Sequence, residues 1–248
     1  MTEHGQSFED ALAEAQALGY AEANPTADVE GYDAMYKLSI LSSMSFHAHM
    51  PIEVIYREGI TKLTKADFET AQLLDYRIKL LAIGKKDGNK IEVRVHPTMI
   101  PKTHPLASVR GVFNAIFLTG HAVDDVMLYG RGAGCMPTAS AVVADVIDEV
   151  KHINSPKLFG WGPGEDGYVS DHLQNPVSAM IRLKCGDTKA VRDEIEAGLG
   201  GCERVKVSNA PADELALVTP KTEEFRINQA LKSVSGAKLL SLIRIADL

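Results

Sequence analysis

The chain has few cysteines, a deficit of basic charge and no long apolar run, and each shortage removes a class of protein. Cys135, Cys185 and Cys202 are the three cysteines in 248 residues. They are odd in number and lack short paired spacing, so neither a disulfide framework nor a zinc site is suggested, and a reduced, cytoplasmic setting fits. Lys and Arg total 26 against 33 Asp and Glu, a formal net charge of -7 that repels phosphate backbones. The basic residues are scattered rather than gathered into a patch with interleaved aromatics, so nucleic acid is not an expected partner. No apolar run approaches the roughly 20 residues that cross a bilayer, and no membrane association is expected. The N-terminus, MTEHGQSFEDALAEAQALGY, lacks the basic start and apolar middle of a secretion signal and reads as the middle of a protein. His47, His49, His96, His104 and His121 fall on different elements without metal-ligand spacing, which leaves them structural or solvated and predicts no metal site.

What is present is enough for two units with cores of their own. Ser7-Phe-Glu-Asp10 has the form of a capping box, and apolar residues at helical intervals carry a helix to about Leu18, stopped by Gly19. Residues 21–31 read as an ordered turn around Asn24-Pro25. From Val29 to about Phe46 the residues are apolar almost all round, which predicts a buried helix. A short strand at Ile52 to Tyr56 and a helix from about Thr64 follow, then strands at Ile78 to Ile83 and Ile91 to Val95 joined by an Asp-Gly hairpin turn. Strands at Gly111 to Phe117 and Ala122 to Tyr129 lead through a glycine loop to a helix from about Pro137 to His152. This region, 1–156, predicts a mixed sheet with helices, an α+β arrangement. Residues 157–175, with Gly160-Trp-Gly-Pro-Gly164 at their centre, read as a linker. Residues 176–248 run strand, helix, strand, strand, helix, strand, the ferredoxin-like βαββαβ order.

Asp33 and Lys37 stand four apart on a helix and share a face that continues as Ile40, Leu41 and Met44. A structural ion pair and a proton-transferring pair are both compatible with that spacing. Glu22 and Asp28 flank Pro25 just upstream; Asp28 also suits a helix N-cap, and Glu22 a solvated loop. Acids able to hold an ammonium beside a lysine able to donate a proton would suit a small amino acid carrying a carbonyl or alcohol.

The stretch Ala15-Gln-Ala-Leu-Gly19-Tyr-Ala-Glu22-Ala-Asn-Pro25-Thr-Ala-Asp28-Val-Glu-Gly31-Tyr-Asp33-Ala-Met-Tyr-Lys37 resembles the homoserine dehydrogenase signature along its whole length. The resemblance continues through Gly59-Ile-Thr, Lys79-Leu-Leu-Ala, His96-Pro-Thr, Pro105-Leu-Ala and Gly111-Val-Phe-Asn-Ala, about two thirds of the chain. It implies a catalytic domain of that family over 1–156. Lys37 is then the proton donor and acceptor, Glu22 and Asp33 bind the substrate, Asp28 supports them, and Gly19 touches the cofactor through its backbone. The substrates it implies are L-homoserine and L-aspartate 4-semialdehyde, interconverted with NAD or NADP in threonine and methionine biosynthesis by a homodimer or higher homo-oligomer.

Tyr129-Gly130-Arg-Gly132-Ala-Gly134-Cys-Met-Pro137-Thr138 would let backbone N–H groups approach an anion at a helix start, but its Gly-x-Gly-x-Gly spacing is no dinucleotide fingerprint. A packing role for such a turn is the plain alternative. By resemblance, Gly130, Gly132 and Gly134 border the nicotinamide. Relatives place a nucleotide-binding domain ahead of the position of Met1, so the chain is expected to be a truncated one, inactive alone, whose NAD or NADP preference lies outside it. Residues 176–248 resemble the ACT regulatory domain that follows many of these enzymes, yet Gly186-Asp187-Thr188-Lys189 replaces the usual Asp-x-Pro-Gly turn. An amino-acid effector site of the common kind is therefore not expected there, and the unit reads as a dimerisation or packing module. The competing class is a non-catalytic amino-acid-binding or oligomerisation module built on the same fold.

Overall fold

The computed structural model describes residues 5–156, 158, 160–165, 167–207 and 210–247. The first part of the chain forms α1 (Phe8–Ala17), α2 (Thr26–Val29), α3 (Tyr32–Phe46), β1 (Tyr56–Arg57), α4 (Lys65–Leu73), β2 (Tyr76–Asp87), β3 (Lys90–Pro101), β4 (Phe113–Gly120), β5 (Asp124–Arg131) and α5 (Cys135–Lys151). The remainder forms β6 (Pro176–Cys185), α6 (Thr188–Leu199), β7 (Glu203–Val205), β8 (Glu214–Val218), β9 (Thr222–Glu223), α7 (Glu224–Ser233) and β10 (Ala237–Ile245).

The architecture is α+β around a mixed sheet. Strands β2 and β3 are an antiparallel hairpin in register from Tyr76↔Pro101 to Asp87↔Lys90, turning at Gly88 with φ +56°. The other edge of β3 is shared end to end by β1, at Arg57↔Val95, and β10, at Arg244↔Thr98, both parallel to it. From β10 the sheet continues antiparallel through β6, β8 and β7. Those four strands, in the order β10-β6-β8-β7, have the arrangement of a split βαβ motif. Asp187 caps α6, its Oδ1 accepting from the N–H groups of Lys189 and Ala190 at 3.0 Å. One sheet thus runs through both halves of the chain. The glycine-rich stretch between them packs back on the first half through bridges Ala48↔Gly162 and Ile91↔Val169.

Period-two alternation sorts the strand residues onto two faces. On one face Ile91, Val93 and Val95 pack with Met35 and Leu38 of α3, while Met99, Met180 and Ile243 pack with Ala71 of α4. Burying each such side chain stabilises by about 1.5–3 kcal/mol. On the other face Ala179, Ile181, Leu183, Leu215 and Leu217 pack against Val191, Ile195, Ile227 and Ala230 of α6 and α7. Along β3 the alternate positions are polar instead: Glu92, Arg94, His96 and Thr98, with His96 and Thr98 fully enclosed.

Three expectations change. The helix expected from Val29 breaks at Gly31, whose φ of +76° is left-handed, because α2 must end before the chain can turn into α3. Nor is α3 buried all round: Ile40 is 56% and Met44 54% exposed, since the sheet covers only the face bearing Met35 and Leu38. The strand expected at Ile52 to Tyr56 is a 3-10 turn, Ile52–Val54, because Pro51 holds the entry and pairing with β3 begins only at Tyr56. Strands β4 and β5 form a hairpin sheet of their own, and together with α5 they leave Leu128, Val143, Val146 and Val150 open to solvent.

Candidate active site

The segment carrying the acids and the lysine is built from local bonds. Ser7 Oγ accepts from the N–H of Asp10 at 3.1 Å and starts α1. The helix ends in a left-handed Gly19, φ +73°, with Tyr20 N donating to Ala15 O at 2.9 Å, a closure that a glycine at this place makes without strain. Gln16 Nε2 then donates to Glu22 O at 2.9 Å and draws the following loop back along α1. Asn24 Oδ1 accepts from the N–H of Thr26 at 3.2 Å and from its hydroxyl at 2.7 Å. That assignment corrects the capping role read for Asp28. Asn24 captures the free donor of α2, and Asp28 lies inside the helix with its side chain exposed.

Of the residues expected in the site, the structure joins two. Lys37 Nζ donates to Asp33 Oδ2 at 2.6 Å across one turn of α3, with side-chain exposures of 62% and 48%. A pair this open gains little stability, about 0.3–0.5 kcal/mol for an exposed i,i+4 contact. It is, however, free to meet a small molecule. Glu22 is exposed on the loop ahead of α2. Gly19 and Gly130 have open space where a side chain would stand. Gly134, φ +124°, precedes the first turn of α5, and no side chain caps that turn. Gly132 has a packing reason to be glycine, since a Cβ there would overlap the Asn114 amide.

A second set of residues braces this segment from behind. Ile60 N donates to Val29 O at 2.8 Å, and Thr61 Oγ1 to Glu30 Oε1 at 2.9 Å. Arg57 Nη1 donates to Glu30 O, and its guanidinium lies 3.7 Å from the centroid of the Tyr32 ring. Gly59 has no alternative, because a Cβ there would sit 2.6 Å from Val29 O.

The family profile described as homoserine dehydrogenase matches residues 1–147. A homoserine dehydrogenase of Neisseria gonorrhoeae is 53% identical over 267 residues, covering 100% of this chain and 61% of its own. The chain belongs to the homoserine dehydrogenase family. A further relative of that name, from Pseudomonas aeruginosa, is 40% identical over 260 residues, 97% of this chain and 59% of its own. The crystal structure of a homoserine dehydrogenase from Thiobacillus denitrificans matches with a TM-score of 0.88 at 37% identity, over 100% of this chain and 60% of that one. The chain therefore spans about 60% of the length of the relatives it matches.

Within this homoserine dehydrogenase segment, the candidate residues Glu22, Asp28 and Lys37 are exposed, and the residues that hold their segment carry no comparable sequence signal. Glu30, Arg57 and Thr61 carry no spacing that predicts their meeting, since Glu30 and Thr61 are 31 residues apart. Gly59 was the one available signal: a glycine between Glu58 and Ile60, at no hairpin, points to a close backbone approach.

Proposed function

We propose that the chain is the substrate-handling part of an enzyme interconverting L-homoserine and L-aspartate 4-semialdehyde, with Lys37 moving the proton and Asp33 and Glu22 holding the substrate's amino group. The observation that carries this reading is the exposed Asp33–Lys37 contact of 2.6 Å on a helix whose sequence matches the family signature. Lys37 protonates the aldehyde oxygen in the reducing direction and accepts the hydroxyl proton in the other. Asp33 orients the ammonium of Lys37 and, with Glu22, attracts the substrate ammonium; Asp28 adds negative charge to the same segment.

The residues present fit one border of a nicotinamide nucleotide. Gly19 and Gly130 leave room for close approach, and Gly132 and Gly134 lead into the uncapped N-terminus of α5, where N–H groups are available to an anionic group. NAD or NADP would there supply the site of hydride exchange. The pathway is that of threonine and methionine, the compartment the cytoplasm, and the assembly a homodimer or higher homo-oligomer. Residues 157–175 act as the link to an ACT-like unit at 176–248, which serves packing or association, because Asp187 is already committed to capping α6.

A second reading, an oligomerisation module, is favoured by one observation. The β5 strand exposes Leu128, and α5 exposes Val143, Val146 and Val150 along one face. The deciding experiment is the change in nicotinamide absorbance with L-homoserine and either NAD or NADP, run on this chain joined to the part of a homoserine dehydrogenase relative that it does not cover, and on the Lys37→Ala variant of that protein. Turnover lost in the variant supports the catalytic reading. A joined wild-type protein that is inert but forms stable oligomers supports the second.

A further inference from the structure

The last strand sends one guanidinium into the wall behind the candidate site. Arg244 on β10, 4% exposed, lies directly beyond β1 on the edge of β3 that the two strands share. Its Nε donates to Glu224 Oε2 at 2.8 Å and its Nη2 to Glu224 Oε1. Glu224, itself 1% exposed, balances the buried charge, since Arg94, 3.9 Å from the same carboxylate, has Glu92 at 2.6 Å. Yet Arg244 has a second acid. Its Nη1 donates to Glu58 Oε2 at 2.8 Å and its Nη2 to the Tyr56 hydroxyl at 3.1 Å, while that hydroxyl donates to Glu58 Oε2 at 3.2 Å. The Glu58 side chain is 31% exposed and has water within reach, so its engagement is not needed to avoid an orphaned charge.

What the engagement does is fix the residue next to Gly59. Glu58 N donates to Val95 O at 2.8 Å, which sets the turn on β3, and the next residues grip the end of α2 through Ile60–Val29 and Thr61–Glu30. Gly31 and Asp33 follow immediately. The other end of the same segment is held by a second arginine of the C-terminal half: Arg182 Nη1 donates to Thr64 Oγ1 at 3.0 Å and to Asp67 Oδ1 at 2.8 Å.

We propose that Arg244 is a positioning residue for the reaction: by holding Glu58 it sets the Glu58–Thr61 turn against Val29 and Glu30, and so fixes the corner from which Asp33 and Lys37 project. This rests on the reading of Asp33 and Lys37 as the reacting pair. It makes the C-terminal half part of the site's geometry without touching substrate. The consequence is directional. A shift of β10 along β3 alters the site through Glu58 before it alters anything else near α2.

The test uses Glu58→Gln, which keeps the shape and weakens the grip, and Arg244→Lys, which keeps the buried charge but has no fork to reach both acids, with amide exchange read on this chain and turnover on the chain joined to the part of a homoserine dehydrogenase relative that it does not cover. Amide exchange is followed at Ile60 and across residues 28–31, with Val93 in the hairpin as the internal reference. Exchange at Ile60 is expected to accelerate about tenfold in both variants while Val93 is unchanged. The KM for L-homoserine is expected to rise about fivefold with a smaller change in kcat, and Arg244→Lys is expected to be milder than Arg244→Met. A merely structural role would lower the unfolding midpoint and leave Ile60 and KM alone, and that result overturns the proposal. A joined wild-type protein without turnover would count against the functional reading alone, because Ile60 exchange still decides whether Arg244 holds the turn. Should Arg244→Lys fail to fold, Glu58→Gln gives the same reading at a partly exposed position.

Discussion

Asp33 and Lys37 touch at 2.6 Å on a part of α3 that both side chains leave about half open to solvent. A structural ion pair and a chemical one differ in what their loss does. With this exposure, Lys37→Met and Asp33→Asn should each change stability by less than about 1 kcal/mol, with a coupling of about 0.3–0.5 kcal/mol in a double-mutant cycle. Homoserine turnover of the chain joined to the remaining length of a relative should nevertheless fall by about a hundredfold or more in Lys37→Met, the range of general acid–base catalysis. Urea unfolding of the four chains measures the first quantity. A coupling above about 2 kcal/mol would mean that the pair holds the fold together and would remove the reason to assign it chemistry.

Gly59 and Gly132 both lack space for a side chain, yet the substitutions should differ. At Gly59 a Cβ would meet the Val29 carbonyl at 2.6 Å and Glu30 Cα at 2.7 Å, and backbone at that distance can relieve the overlap only by moving α2. At Gly132 the obstacle is the amide end of Asn114, which can rotate away. Gly59→Ala is therefore expected to cost about 1–3 kcal/mol, as overpacking does, and Gly132→Ala less than about 1 kcal/mol. Equal losses in thermal unfolding would show that the grip of residues 59–61 on α2 is looser than the geometry indicates.

Such contacts mark the limit of what the sequence makes legible. Local signals carried through: the Ser7 cap, the Asp-Gly hairpin turn at Gly88, the pattern from β6 to β10, and the four-residue spacing of Asp33 and Lys37 are all written within a few neighbouring residues. The features that failed depend on partners far along the chain. Nothing in Val29 to Phe46 says that only one face of that helix will be covered, because the covering strand is β3. Residues 52–54 are apolar enough for a strand, and what they lack is an edge to pair with. Glu58 and Arg244 are separated by 186 residues and look like two ordinary surface charges until β1 and β10 meet on the same edge.

The polar face of β3 predicts a pH dependence. Burial, reinforced by the nearby charges of Arg244 and Arg94, holds His96 well below the usual imidazole range, and burial also lowers His172. Both are therefore neutral in the folded state where the unfolded chain would take up protons. The unfolded chain then binds more protons below about pH 6.5, so stability is fully present above that value and falls as pH drops toward the folded values. A single site contributes a slope of up to about 1.4 kcal/mol per pH unit. Unfolding free energies between pH 6.5 and 5.5 should show that slope shrinking in His96→Asn, whatever the variant's absolute stability. A slope unchanged by the substitution would mean that His96 takes up its proton in the folded state.

Asp67 offers the sharpest stability test, because one fully buried carboxylate does two jobs. Its Oδ2 accepts from the N–H and the hydroxyl of Thr64, both at 2.7 Å, and so caps α4. Its Oδ1 accepts from Arg182 at 2.8 Å and from Ser241 at 2.5 Å, and so ties α4 to β6 and β10. Loss of a cap alone costs about 0.5–2 kcal/mol. Breaking a buried pair by removing one partner costs about 3–5 kcal/mol, because the remaining charge is left without its counterion. Arg182 keeps Glu214, at the start of β8, at 2.8 Å and Thr64 Oγ1 at 3.0 Å, which places Asp67→Ala toward the lower end of that range. The double variant Asp67→Ala, Arg182→Met removes the stranded charge and should recover part of the loss, leaving mainly the cap and packing costs. Urea midpoints of the three variants separate these contributions. If Asp67→Ala cost no more than a cap, Arg182 would be held well enough by Glu214 and Thr64, and the Asp67 carboxylate would add little to the tie between α4 and the C-terminal strands.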